Sequence, residues 1–159
     1  MTDEARQMFL NKHNGYRSLV AKGEAKDGQG GFATKAARMT KMSYDCDVEK
    51  NVMSWITKCK YESSSWDDRL GLGENLWMTP QTKMDRTNAA DEMVWQSTLK
   101  LGCGVEWCDS MTLVGCHYKW SGNFLRGCIY EVGEPCKTDA DCKCAGCTCV
   151  RGEALCIVP

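Results

Sequence analysis

Few side chains in this sequence are equipped for chemistry. The chain has two histidines, His13 and His117, and twelve cysteines. One carboxylate stands out by its setting: Glu74, between Gly73 and Asn75. Zinc needs about three ligands of the His, Cys, Asp or Glu type around an open position. Glu74 and two scattered histidines do not make such a set. His13 falls on the apolar side of a helical stretch, where a hydrogen-bonded core histidine is expected. His117 follows Cys116 in a strand-like run. No Gly-x-Ser-x-Gly elbow occurs, and no other catalytic constellation is visible. Glu74 is expected to hold its own loop by accepting N–H bonds. No catalytic residue, no metal ligand set and no cofactor is therefore expected.

The cysteines carry a different message. Cys46, Cys59, Cys103, Cys108, Cys116 and Cys128 are spread through the body, whereas Cys136, Cys142, Cys144, Cys147, Cys149 and Cys156 crowd the end. An even number at irregular spacing reads as disulfides, which persist in oxidising compartments. All twelve are expected to be bridged, with no readily modified thiol. Cys142-x-Cys144-x-x-Cys147-x-Cys149 also has the density of a thiolate metal cluster, but an oxidising compartment favours disulfides. Six cysteines allow 15 pairings, and spacing selects none of them. The chain opens Met1-Thr2-Asp3-Glu4-Ala5-Arg6, which lacks the apolar stretch of a signal peptide. The cysteines nevertheless point to an extracellular protein.

Composition excludes several classes. Across 159 residues, 43% are hydrophobic and 26% charged, as in globular domains. A net charge of −1 gives no electrostatic footprint for nucleic acid. No apolar run approaches the roughly 18 residues that span a bilayer.

The elements that must position these residues follow from periodicity. Thr2 can cap a first helix carrying Phe9, His13, Tyr16 and Val20, which Gly23 stops. Asp45 or Asp47 can cap a second, whose stripe is Val48, Val52, Trp55, Ile56 and Cys59. Residues 62–73 read as a polar loop, 74–78 as a short apolar piece, and 88–95 as a third, short helix. Leu101, Cys103 and Val105 then alternate with Gly102 and Gly104, and 111–118 form a second strand. Residues 129–132 suit a last short strand. The order of helices followed by antiparallel strands predicts an α+β fold. Trp66, Trp77, Trp107 and Trp120 would suggest a lipid- or protein-binding surface if exposed together, but each is expected to pack in the core or cover a disulfide.

Several segments together resemble the CAP (SCP/TAPS) family, and within it the activation-associated secreted proteins of parasitic nematodes such as hookworms. They are His13-Asn14-Gly15-Tyr16-Arg17, Met42-Ser43-Tyr44-Asp45-Cys46, Gly73-Glu74-Asn75-Leu76 and Met93-Val94-Trp95-Gln96. Leu101-Gly102-Cys103-Gly104-Val105, Cys116-His117-Tyr118, Ser121-Gly122-Asn123-Phe124 and Ile129-Tyr130-Glu131-Val132-Gly133-Glu134-Pro135-Cys136 complete the series. The resemblance implies an α-β-α sandwich, here reduced, over residues 1–132, with a cysteine-rich extension over 133–159.

The family cleft commonly holds two His and two Glu around a divalent metal, and this chain departs from that pattern. Glu74 matches the Gly-Glu-Asn glutamate, but Ser63 stands where the first His should be. Asn88-Ala89-Ala90-Asp91-Glu92 replaces the run that carries the second His. The helix with the second Glu is missing, so an internal segment is absent near 88–93. Glu74 is a remnant of the cleft, and tight zinc binding is not expected.

The resemblance implies a secreted, non-enzymatic binding protein, a parasite effector acting on host or other extracellular proteins or cells. Immune or platelet modulation is the implied role, and some members bind sterol or lipid. The alternatives are a metal-dependent hydrolase or protease, and a non-functional splice or gene-model variant. Loss of a covering helix predicts an apolar patch on the sheet, with Leu113 or Val114 exposed, hydrophobic-dye binding or a homodimer.

Overall fold

The structure, a computed structural model, describes residues 1–89, 99–120 and 129–159. In these residues the elements run α1 (Asp3–Lys22), β1 (Ala36–Ala37), β2 (Ser43–Tyr44), α2 (Cys46–Ile56), α3 (Trp66–Arg69) and β3 (Gly73–Thr79). Then come β4 (Lys100–Trp107), β5 (Thr112–Lys119), β6 (Glu131–Val132), β7 (Thr148–Val150) and β8 (Leu155–Ile157). This is the α+β layout expected. Most of the third helix expected over 88–95 lies outside the described residues, as does the turn at Ser121-Gly122-Asn123. Two compact units result, one of Met1–His13 with Ser43–Asn123, the other of Asn14–Met42 with Phe124–Pro159.

The first unit is a four-stranded sheet in the order β2-β4-β5-β3, with β2 parallel to β4 and the other pairs antiparallel. α2 lies on one face. Asp45 starts it by accepting the N–H groups of Asp47 and Val48 at 3.0 and 3.2 Å, which satisfies orphan donors of the first turn. Val48, Val52 and Ile56 turn inward and are buried. Val52 and Ile56 form a core with Leu113 and Cys108, against which Leu76 and Met53 pack.

Glycine allows this helix to sit so low. A Cβ on Gly102 would overlap the backbone of Val48 and Glu49, and one on Gly115 would lie 2.8 Å from Val52 Cγ2 and Ile56 Cγ2. The helix backbone thus rests on the strands themselves.

The other face carries Val114, Cys116 and Tyr118, and here the N-terminal part of α1 supplies Phe9 and His13. Both of those residues are fully buried. His13 Nδ1–H donates to the Phe9 carbonyl at 2.8 Å, which leaves Nε2 to accept the Tyr118 hydroxyl at 3.1 Å. It is a core histidine. Cys103 and Cys116 stand directly opposite in register and are bridged. Leu113 and Val114 are both fully buried, contrary to the exposed patch expected there.

In the second unit, β1 pairs with β6 and β7 with β8, all antiparallel. Val20, Ala21, Ala36, Met39, Ala154 and Leu155 form its core. Asn14 exchanges two hydrogen bonds with the Met42 main chain, at 2.8 and 3.1 Å. Main-chain bonds from Lys41 to Cys156 and from Cys156 to Met39, both 2.7 Å, splice residues 39–41 onto β8.

The disulfides are Cys59–Cys108, Cys103–Cys116, Cys136–Cys149, Cys142–Cys156 and Cys144–Cys147. Cys46, the exposed first residue of α2, has no bridging partner among the described residues. The ten bridged cysteines are spoken for, and Cys128 lies outside the described residues. The tryptophans depart from expectation. Trp66, Trp107 and Trp120 are exposed. Trp107 caps the end of β4 by donating Nε1–H to the Met84 carbonyl at 2.9 Å, with the Arg86 guanidinium over its ring at 4.0 Å.

Two measurements check this packing. Gly102→Ala should destabilise the oxidised protein by at least about 2 kcal/mol in urea unfolding, because helix backbone cannot yield as a side-chain tip can. Gly28→Ala, with open space around it, should stay within about 0.5 kcal/mol. Alkylation without reductant, followed by peptide mapping, should label none of the ten bridged cysteines.

Candidate functional site

Three neighbouring strands bring Gly102, His117 and Glu74 into one lateral row on the α2 face. Gly102 supplies no side chain, and so lets α2 approach. His117 and Glu74 form a direct cross-strand pair, with His117 Nε2 3.0 Å from Glu74 Oε2. Asn51, on α2, closes the other side of the imidazole, its Oδ1 lying 2.7 Å from Nδ1. The Asn51 amide N–H donates to the Asp68 carbonyl at 3.2 Å, so its oxygen is the atom that faces the ring and accepts Nδ1–H.

Glu74 also ties down the connection between α2 and β3. Its Oε1 accepts the Ser64 N–H at 2.9 Å, and its Oε2 accepts the Ser64 hydroxyl at 2.7 Å. Arg69 Nη1 approaches Oε1 at 3.5 Å and also donates to the Ser64 carbonyl. Ser65 caps the single turn of α3 by accepting the Asp68 N–H at 3.1 Å. Trp55 Nε1–H donates to the Glu62 carbonyl at 2.8 Å. The Cys59–Cys108 bridge anchors the start of the same connection.

The electrostatics follow from these partners. Burial alone would push the Glu74 carboxyl upward. The hydrogen bonds from His117 and from the Ser64 hydroxyl and N–H outweigh it and hold the carboxyl below its ordinary value of 4.5. The glutamate is thus a fixed anion with both oxygens engaged. A second buried anion lies under the other end of α2. Arg6 forks onto Glu49 at 2.7 and 2.8 Å, and the Tyr44 hydroxyl donates to it at 2.6 Å. Burial first, and then the hydrogen bond to Glu49, push the Tyr44 phenol well above its ordinary value.

Beside Glu74 is an open cavity of about 350 Å³, lined by Tyr61, Glu62, Ser63, Glu74, Asn75 and Leu76. Its donor set does not fit a zinc ion. Glu74 and His117 are hydrogen-bonded to each other, and Ser63 adds only a hydroxyl. Among the described residues, the only threefold cluster of candidate ligand atoms is Cys136, Cys142 and Cys156. Those sulfurs belong to disulfides and offer no thiolate.

Glu74 therefore behaves as the loop-holding carboxylate read from the sequence, with His117 as a partner the sequence did not give. Asn51, Ser64 and Arg69 were also missed. The one available signal was Asn51 standing next to Val52, a polar residue at the border of the apolar stripe. Glu49, beside Val48, gave the same kind of signal.

Glu74→Gln sets an amide donor among groups that donate, and should cost about 2–3 kcal/mol at neutral pH. A carboxyl depressed in the folded state stabilises the fold above its unfolded value and stops doing so as pH falls through the folded one. The gap between wild type and Glu74→Gln should therefore be full above about pH 5 and shrink below 4.5. Urea unfolding at a series of pH values checks it.

Comparison with known proteins agrees with this architecture. Residues 10–91 match the model of CAP, the cysteine-rich secretory protein family. "Ancylostoma secreted protein" of Ancylostoma caninum is 36% identical over 197 aligned positions, covering 100% of this chain and 45% of the relative. The chain thus spans under half of that protein's length. "Hookworm platelet inhibitor 1" of the same species is 30% identical, over 94% of this chain and 79% of its own length. Among solved structures, that of NaASP2 with Zn2+ superposes with a TM-score of 0.87 at 40% identity, covering 98% of this chain and 96% of that one. Among the described residues no helix is long and apolar enough to cross a membrane. On fold and sequence together, the chain belongs to the CAP family of cysteine-rich secretory proteins.

Proposed function

We propose that this chain is an extracellular, non-enzymatic CAP-type binding protein that acts on host proteins or cells. The observation that carries the reading is the surface displayed by residues 61–70. Tyr61, Trp66 and Leu70 are exposed there at 55%, 59% and 82%, on a segment pinned from beneath by Glu74, Asn51 and Trp55. Rigid aromatic and aliphatic side chains on an ordered loop are suited to protein contacts, because little side-chain freedom remains to be lost on binding. The relative named as a platelet inhibitor supports a host-cell target. The polar lining of the cavity beside Glu74 favours a protein partner over a sterol.

The proposal extends to organisation. Residues 1–132 are a CAP-type body shortened near 88–93, and 133–159 are its disulfide-rich extension. Two findings support this: the family model match ends at residue 91, and the Ancylostoma alignment runs over 197 positions against the 159 residues here.

Fluorescently labelled protein should bind platelets or leukocytes saturably, with no loss in EDTA. Trp66→Ala with Leu70→Ala should weaken that binding by about tenfold or more, while far-UV circular dichroism stays unchanged. Peptide and ester substrates should show no turnover with or without added zinc. Zinc-dependent turnover abolished by Glu74→Gln would instead establish the hydrolase reading.

A further inference from the structure

Five disulfides are described, and one of them differs from the other four in two respects. Cys144 is the only exposed cysteine among the ten that are bridged. Its partner Cys147 is 6% exposed and belongs to a buried cluster with Cys136, Cys142 and Cys156. The Cys144–Cys147 bridge also spans a sequence separation of 3, against 13, 13, 14 and 49 for the rest.

Both features bear on reactivity. Thiol–disulfide exchange requires an attacking thiolate to reach one sulfur in line with the bond, so access selects the bridge and the sulfur attacked. A bridge that closes a very short loop also restricts the unfolded chain least, so its opening releases the least constraint. The residue preceding Cys144 is the exposed Lys143, whose positive charge favours an approaching anion. The exposed-then-buried Cys-Ala-Gly-Cys pair thus has one sulfur open to attack and one positioned to leave.

We propose that Cys144–Cys147 is a thiol-exchange site for low-molecular-weight thiols of the glutathione class. The thiolate of the small thiol attacks Cys144 Sγ, forming a mixed disulfide there. The Cys144–Cys147 bond breaks and its electron pair leaves on Cys147 Sγ, which takes a proton from water. A second small thiolate then attacks the small-thiol sulfur of the mixed disulfide. Cys144 leaves as thiolate, and the small thiol is released as its own disulfide. Two thiols are oxidised and one protein disulfide is reduced. The inference is independent of the binding function proposed above.

The test uses the full oxidised chain. Any free thiols are first blocked with N-ethylmaleimide, and the reagent is removed. Reduced glutathione is then applied over a graded series, samples are acid-quenched, and new thiols are alkylated with iodoacetamide and mapped by peptide mass. Cys144 and Cys147 should be labelled about tenfold faster than cysteines of any other described bridge. Cys147→Ser, which leaves Cys144 without its resolving partner and is handled without the blocking step, should trap a glutathione adduct on Cys144 when given glutathione disulfide. Opening of any of the other four bridges as fast as Cys144–Cys147 would overturn the proposal. So would failure of Cys144 in the Cys147→Ser protein, handled without the blocking step, to take up glutathione.

Discussion

The seating of α2 on its sheet is the constraint from which the rest of the first unit follows. Helices pack on sheets through side chains, and a glycine in the facing strand removes the spacer. At Gly102 the helix backbone occupies the volume a Cβ would need, and at Gly115 the methyl groups of Val52 and Ile56 do so. Depth fixes rotation and register together, because a helix this close can neither roll nor slide without striking backbone. Asn51 is thereby delivered to His117, and Glu49 to Arg6 and Tyr44. The same glycines that would weaken an isolated strand are what make the polar links above it possible.

Those links explain why a carboxylate beside a histidine need not mean catalysis. A general base must present a free lone pair to a substrate proton. Each oxygen of Glu74 already faces two donor groups, counting Ser64 twice together with His117 and Arg69. The imidazole is likewise held at both nitrogens. The arrangement converts charge into rigidity: the connection carrying Trp66 and Leu70 is fastened to β3 through Glu74 and to α2 through Asn51. A surface intended for recognition benefits from that order, since disorder at a binding loop must otherwise be removed at the moment of contact.

What could be read from the residues follows the range of the interaction. α2 was legible because its signals are local: an Asp cap and apolar residues at helical spacing. The alternation of Leu101, Cys103 and Val105 gave β4 for the same reason. The Glu74 cluster was half legible. A carboxylate between glycine and asparagine signals a structural acceptor, but its imidazole partner is 43 residues away and only strand register joins them. The cysteines announced disulfides without their pairing, because pairing depends on strand register and loop geometry that spacing does not encode. Trp66, Trp107 and Trp120 failed the burial expectation because average burial by residue type says nothing about a strand end or a loop tip. Leu113 failed the exposure expectation because it packs with Val52 and Ile56 of α2, and Val114 on the opposite face is buried as well.

The claim that α2 reaches Glu74 through His117 is a claim about coupling, and a double-mutant cycle measures coupling directly. Asn51→Ala, Glu74→Gln and the double variant would be unfolded in urea at neutral pH with the disulfides intact. Asn51 and Glu74 make no direct hydrogen bond, so any interaction energy between them travels through the imidazole and the connection they both hold. The account predicts a coupling of about 1 kcal/mol or more, the second substitution costing less once the first has released His117. Additivity within about 0.3–0.5 kcal/mol would contradict it, leaving Glu74 and α2 as independent supports.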